Sequence, residues 1–525
     1  MNLNINDTFT KELPVDPIIK NHRRQVDACF SFVIPKQTKK PELIHVSDAM
    51  LETLGLSVED SNSEEFLDVF TGNKVYENTT PFAMCYGGHQ FGNWAGQLGD
   101  GRAINLFEVD HNNKHWSVQL KGSGETPYSR TADGLAVLRS SVREYLCSEA
   151  MFYLGVSGTR ALSLSLTGDD VMRDVLYNGN SAYEKGAIVC RVAPTFIRFG
   201  SFQLLSAREN LDGLTQLVEY TVKHFYPSIS GSIKEKTIEL FKQVSQNTIK
   251  MIVDWQRVGF VHGVMNTDNM SILGETIDYG PYGWLEGYDF NWTPNTTDAQ
   301  NKRYRFGNQP NIGLWNLLQL ANALYPLVEE AEPFKTVLDN YKFEFDAQYQ
   351  AMMRSKLGLV KEDESDKELI ASLENNLQLT ETDMTIFFRN LASVNSETKL
   401  SEDKSIIITQ ELDKAFYAPN DISDEMRTIL RSWILAYITR LGKKEQVNQT
   451  RVEAMNLVNP KYVFRNYMAQ LAIDDADKGD YKLIDDLYNL FKNPYGEQIE
   501  NEKWFEKRPE WARNKVGCSM LSCSS

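Results

Sequence analysis

Apolar residues recur along this chain at two different periods, and the change between them divides it. Up to about residue 205 the pattern is short and strand-like. Ala103–Val109 is a compact apolar run, and Ser117–Lys121 alternates, with Val118 and Leu120 on one face and Gln119 and Lys121 on the other; both read as strands. Ile188–Ala193 is a third, stopped by Pro194. A single long helix is expected among them over Leu135–Leu154, with Asp133 near its start and Gly155 just past its end. From about residue 209 the three-and-four spacing dominates and predicts helices over 209–225, 231–258, 312–326, 329–355, 423–440, 445–457, 460–474 and 480–491. The charged, weakly apolar stretches Lys356–Glu368 and Ser393–Ser405 read as surface connections, and no internal repeat is present. The order predicts an α+β fold in which a smaller strand-containing lobe (1–205) precedes a large helical lobe (206–510) and a flexible cysteine-containing tail (511–525).

Close to the junction lies HGVMNTDNMSILGETIDYG, His262 to Gly280. Asp268 and Asn269 precede the apolar run Met270–Leu273. Gly274–Glu275 suits a two-residue type II′ turn, and Thr276–Ile277 returns to deliver Asp278. Such a hairpin brings Asn269 and Asp278 face to face with Asp268 alongside, an oxygen-rich set suited to Mg²⁺ that keeps waters for substrate phosphates. It echoes the catalytic-loop Asp and Asn and the later metal-holding Asp of protein kinases. An ordinary Asn/Asp-rich hairpin is the alternative.

Composition narrows the partners. The 525 residues exceed one typical core, and 42% hydrophobic with 24% charged residues is ordinary for a globular protein. A net charge of −16 disfavours nucleic acid and anionic membrane, so any phosphate site must be a local basic pocket. The N-terminus carries acids and no apolar core, and Leu314–Val328 is interrupted by Asn316, Gln319 and Asn322; neither a leader nor a membrane span is expected, and the cytoplasm is the default. Cys29, Cys85, Cys147 and Cys190 read as reduced core residues. Cys518 and Cys523, in the terminal CSMLSCSS, are expected to be mobile and exposed, free to pair, to bind a soft metal or to do nothing.

The first lobe carries matching phosphate chemistry. Gly96, Gly99 and Gly101, followed by Arg102, precede a strand, where backbone amides can approach phosphate oxygens; a tight turn explains the glycines equally well. Lys121 ends a strand, and Glu144 lies in the long helix, which fits a strand lysine paired with a helix glutamate. Arg191 and Arg198, in the apolar RVAPTFIRFG, need a buried carboxylate or a phosphate as partner.

The blocks GGHQFGNWAGQLGDGRA, LKGSGETPYSRTADGLAVLRSSVREYL, RVAPTFIRFG, GFVHGVMNTDNMSILGETIDYGP and the terminal CSS resemble the selenoprotein O (YdiU) family, in the family's order over residues 87 to 281 and again at the end. The resemblance implies a protein-kinase-like two-lobed fold that binds ATP flipped, with the γ-phosphate buried, and transfers AMP to protein Ser, Thr or Tyr hydroxyls. Bacterial relatives are also credited with UMP transfer from UTP when manganese is present. Carried over, Asp268 matches the proton acceptor, and Asn269 and Asp278 the ligands of Mg²⁺ or Mn²⁺, with Asp278 also touching the nucleotide through the metal. Lys121 matches the phosphate-gripping lysine and Glu144 its partner. Gly99, Gly101, Arg102, Asp133, Gly134, Arg191 and Arg198 match nucleotide contacts. Two departures stand out: SMLS separates Cys518 from Cys523 more widely than is common in the family, and Tyr279–Pro310 lacks the cysteine to which some relatives are proposed to lock the tail. A conventional kinase and a nucleotide-binding scaffold without catalysis are the competing readings. Asp268 directly followed by Asn269 opposes the first, and five retained site residues oppose the second.

Overall fold

The computed structural model describes residues 1–175, 179–403, 405–443, 446–518 and 520–522. Its main element is a mixed sheet of nine strands. Eight run across it in the order Val15–Asp16, Phe30–Phe32, Phe82–Met84, Ala103–His111, Lys114–Lys121, Ala182–Ala193, Arg160–Arg173 and Glu42–Val46, and Ala136–Val137 adds to Ala182–Ala193. The expected strands are present and longer than their apolar cores, because cross-strand pairing continues into the polar ends. Arg160–Arg173 was not anticipated: its outer half, TGDDVMR, breaks the alternation of its inner half and ends in charge.

The sheet's two faces explain what the chain does with its polar residues. One face is roofed by helices Asp48–Leu54 and Glu64–Thr71, also not anticipated, and Val118, Leu120, Cys190 and Val192 bury against their Met50, Leu51, Phe66 and Phe70. The other face carries Asn105, Gln119 and Arg191, all buried. Gln119, expected on a polar outer face, is fully enclosed because it is a hydrogen-bonding hub. Against this face lies helix Leu138–Tyr153, whose first expected residues form the short strand Ala136–Val137 instead. That helix buries charge, each partnered: Glu149 takes a fork from Arg160 at 2.7 Å and 2.7 Å, and Arg143 donates to Tyr282 O at 2.9 Å.

From Phe199 onward helices dominate the chain, so the fold is α+β with the two-part, kinase-like arrangement expected. Helix Ile233–Val258 begins at a Ser232–Glu235 capping box and stops at Gly259, whose φ of 75° a side chain would oppose. Helix Asn466–Ala476 starts later than expected, because Tyr462, Val463 and Phe464 run non-helical into the core. Lys356–Glu368 is not a plain surface connection: Lys356 is buried and donates to Arg257 O at 2.8 Å, and Asp366 is buried against Arg440 at 2.7 Å. Helices Phe199–Ala207, Asp366–Asn376 and Met384–Asn390 also escaped the pattern. Among the described residues no helix is long and apolar enough to cross a membrane.

The tail also differs from expectation. Thr296 N and Oγ1 donate to Leu521 O at 2.8 Å and 2.9 Å, and Leu521 N donates to Pro294 O at 3.2 Å. Asn466 Nδ2 donates to Cys518 O at 2.7 Å. These bonds draw Cys518 and Leu521 into the core, so Cys518 is buried rather than exposed. Cys523, and with it any Cys518–Cys523 bridge, lies outside the described residues.

Candidate functional site

The segment carrying Asp268, Asn269 and Asp278 is not the hairpin its sequence suggests. Ser271 bridges to Arg198 and Thr276 to Gly158, so the two arms pair with other parts of the chain. Gly274 has a φ of 70°, and a Cβ there would come within 2.7 Å of Asn247, so the turn is a close approach to helix Ile233–Val258. The ladder that encloses the segment is Phe260–Val261 with Gly283–Trp284. Convergence survives by other means: buried His262 bonds through Nε2 to Ile277 O at 2.9 Å, and Asp278 turns in the left-handed region at φ 58°, which aspartate tolerates better than most residues.

Asp268, Asn269 and Asp278 line one cavity of about 260 Å³ together with Gly99, Gly101, Arg102, Lys121, Arg191 and Arg198. Glu144 stands just behind, 2.5 Å from Lys121 Nζ and 2.9 Å from Arg191 Nη1. The strand–helix lysine–glutamate pair read from the sequence is therefore formed. Arg191 Nη1 also reaches Asp278 at 2.8 Å, and Arg198 Nη1 bonds both Asp278 and, at 2.7 Å, Asp268 O. Two guanidiniums on one carboxylate hold the Asp278 carboxyl far below the usual range against the opposing effect of burial, and Asp278 in turn holds Arg198 charged. Burial pushes the Asp268 carboxyl up to about 6, a shift that Gln90 and Arg198 oppose.

Asp133 and Gly134 do not join this cavity. Asp133 is held by an Arg173 fork at 2.8 Å and 2.8 Å, and Gly134 is required where a Cβ would strike Gly124 O at 2.1 Å. Arg130 and Ala132, from the same loop, line the cavity in their place. The glycines of the first loop have a packing reason of their own: a Cβ at Gly99 would lie 2.5 Å from the Tyr128 ring, and one at Gly101 would lie 2.6 Å from Tyr128 O.

As a cation site the donor set fits. Asn269 Nδ2 donates to Val264 O at 2.9 Å, which fixes the amide plane and leaves Oδ1 as a ligand atom beside the Asp278 carboxylate. Among the described residues no group of three or more His, Cys, Asp or Glu is placed to hold a metal ion by itself. Several cavity residues escaped sequence reasoning, and three of them touch the expected site residues. Gln90 donates to Asp268 Oδ2 at 3.0 Å, Tyr86 lies under the Arg198 guanidinium at 4.6 Å, and Asp100 is buried beside Arg198. GGHQFG and GDG were visible as blocks, but a Gln or an Asp in a turn carries no periodic signal.

Comparison with known proteins gives the family. The profile of the family described as "Protein adenylyltransferase SelO" matches residues 16–492. A protein nucleotidyltransferase YdiU of Flavobacterium johnsoniae is 59% identical over 525 residues, covering 100% of both chains. Proteins of the same name from Rhodopirellula baltica and Aromatoleum aromaticum are 52% and 50% identical, each covering 100% of this chain and 99% and 100% of their own.

Proposed function

The chain belongs to the SelO family of protein adenylyltransferases, and from that premise we propose that it moves AMP from ATP to Ser, Thr or Tyr hydroxyls of other proteins, and UMP from UTP when manganese is the metal. The lobes 1–205 and 206–510 close on the nucleotide between them, and five buried free thiols favour the cytoplasm. Lys121, fixed by Glu144, grips phosphate oxygens, and Arg191 and Arg198 hold the β- and γ-phosphates, so that the α-phosphorus faces Asp268. Asn269 and Asp278 hold Mg²⁺ or Mn²⁺, which neutralises phosphate charge. Asp268 takes the hydroxyl proton as the acceptor oxygen bonds to the α-phosphorus, and the bond to the β-phosphate oxygen breaks to release pyrophosphate.

The observation that carries this reading is the convergence of two buried arginines on Asp278 in the cavity that also holds Lys121 and Asp268. Both guanidiniums sit on a carboxylate that is itself a candidate metal ligand, so a cation at Asp278 would leave them as donors for the terminal phosphates of a nucleotide. Incubation with ATP labelled at the α- or the γ-phosphate, followed by intact-protein mass measurement, tests it. A gain of one AMP with α-label is expected, lost in Asp278→Ala. A gain of one phosphate with γ-label would make the protein a kinase.

A further inference from the structure

If Arg191 and Arg198 hold phosphates, something must hold the arginines once Asp278 turns to the metal. Behind them lies a row of enclosed polar side chains. Asn105 pairs with Gln119, and Gln119 with Arg191, on three adjacent strands, so the three side chains stand side by side on one face. Gln119 Oε1 accepts from Arg191 Nη2, and Gln119 Nε2 donates to Asn105 Oδ1 at 3.1 Å and Asp100 Oδ2 at 3.3 Å.

Asp100 ends this row and is 2% exposed. Its Oδ2 also accepts from Met84 N at 3.0 Å and Asn105 Nδ2 at 3.1 Å, which makes three N–H donors on one oxygen. Its backbone is tied as well: N donates to Met84 O at 2.9 Å, and O accepts from Thr126 Oγ1 at 2.7 Å. Oδ1 is different. It is enclosed, has no hydrogen-bond partner among the described residues, and faces Arg198 Nη2 at 3.9 Å. Arg198 Nε is likewise enclosed and unpartnered. Burial and the nearby Asp278 push the Asp100 carboxyl up, against Arg198, the Met84 N–H and Arg191, and its hydrogen-bonding partners are all donors, the setting of an acceptor-only carboxylate. A buried carboxylate and a buried guanidinium thus stand just beyond contact, with neither desolvation cost fully offset.

We propose that Asp100 is a positioning residue for nucleotide transfer: it is the anchored counter-charge that keeps Arg198 aimed at the nucleotide phosphates when Asp278 engages the metal, and through Gln119 it sets the plane of Arg191. The proposal rests on the reading that both arginines hold phosphate. Asp278 arrives on an irregular segment and is shared with the cation site, whereas Asp100 is bound to the sheet at side chain and backbone and cannot follow. A carboxylate needed only to shape the glycine loop would use Oδ2 alone, and an asparagine would serve as well.

That difference is testable. Asp100→Asn keeps the shape and the acceptor for Met84, Asn105 and Gln119 but places an uncharged amide opposite Arg198. Binding of ATP and AMP is measured by titration calorimetry in Asp100→Asn, Arg198→Lys and the double variant, with melting temperature alongside. The expected result is a roughly tenfold weaker ATP affinity in Asp100→Asn, AMP affinity unchanged, and melting within a few degrees of the parent. In the Arg198→Lys background the same change adds little, because Asp100 acts through Arg198. Unchanged ATP affinity, equal weakening of ATP and AMP, or effects that multiply in the double variant would each overturn the proposal. Arg198→Ala separates the two levels: if it too leaves ATP affinity intact, the phosphate reading fails, and if it alone weakens ATP, only the role of Asp100 fails. Should Asp100→Asn be insoluble, Asp100→Ser places a smaller uncharged side chain there, and ATP affinity is expected to fall against an unchanged AMP affinity in the same way, whatever the loss in melting temperature.

Discussion

Asp268 and Glu275 are seven residues apart in the chain, and each keeps a carboxyl oxygen enclosed without a hydrogen-bond partner among the described residues. Burial pushes Asp268 up to about 6, which suits the role of base proposed for it near neutrality. Burial alone pushes Glu275 up to about 7, and Glu275 does not line the nucleotide cavity. Its consequence is therefore stability. Below the unfolded pKa, near 4.5, both states keep the proton and there is no penalty. As pH rises from there to about 7, the unfolded chain ionises first and folding loses stability. Glu275→Gln is expected to raise the melting temperature at pH 8, by about 1–3 kcal/mol of stability, and to change it little at pH 4.5. Thermal melts at the two pH values check this, and an equal gain at both would rule out ionisation as the cause. At this scale the sequence showed Lys121 and Glu144, because a charged pair on strand and helix is a recognisable type. It concealed Gln90, Asp100 and Gln119, whose importance lies in partners distant along the chain.

Among the elements, the hairpin of Gly87–Gln90 and Asn93–Gln97 has the most direct hold on the segment that carries the proposed base. His89 N donates to Thr267 Oγ1 at 2.7 Å, and Phe91 N donates to Asn266 Oδ1 at 3.1 Å, so the hairpin is fastened to the residues just before Asp268. There is no room to spare: a Cβ at Gly88 would sit 2.8 Å from Asp268 Oδ1, and one at Gly200 would sit 2.1 Å from Gly87 O. Gly88→Ala should displace the Asp268 carboxylate without touching Lys121 or the arginines. Turnover is expected to fall roughly 10²-fold, the usual cost of a base moved by about an ångström, with ATP affinity kept. Parallel kcat and Kd measurements decide it, and a near-native kcat would mean that the hairpin yields freely. The glycines and mixed side chains of GGHQFGNWAG give a hairpin no alternation to show, whereas Ser117–Lys121 showed its strand through Val118 and Leu120. The opposite error, a hairpin expected over 270–277, arose because short apolar runs flanking a glycine look alike whether they pair with each other or with Arg198 and Gly158.

Across the whole molecule, the order of a strand-bearing part followed by a helical one was legible because helices such as Ile233–Val258 carry caps and long apolar stripes. The placing of the tail was not. Nothing in the terminal residues marks them as core, and their hydrogen-bond partners, Pro294, Thr296 and Asn466, come from two separate regions of the chain. Cys518 and Leu521 are 4% and 1% exposed, although a chain end is ordinarily free. If that seating contributes to stability, truncation after Asn514 removes two buried apolar side chains and the Leu521–Thr296 and Leu521–Pro294 bonds together. The loss should be about 2–4 kcal/mol, seen as a melting temperature lower by a few degrees. Because the segment 294–296 follows Asp278 along the chain while the nucleotide cavity lies elsewhere, ATP affinity measured below the transition should persist. A melting temperature equal to that of the full chain would mean that the buried tail displaces nothing but water on departure, and that the fold is complete without it.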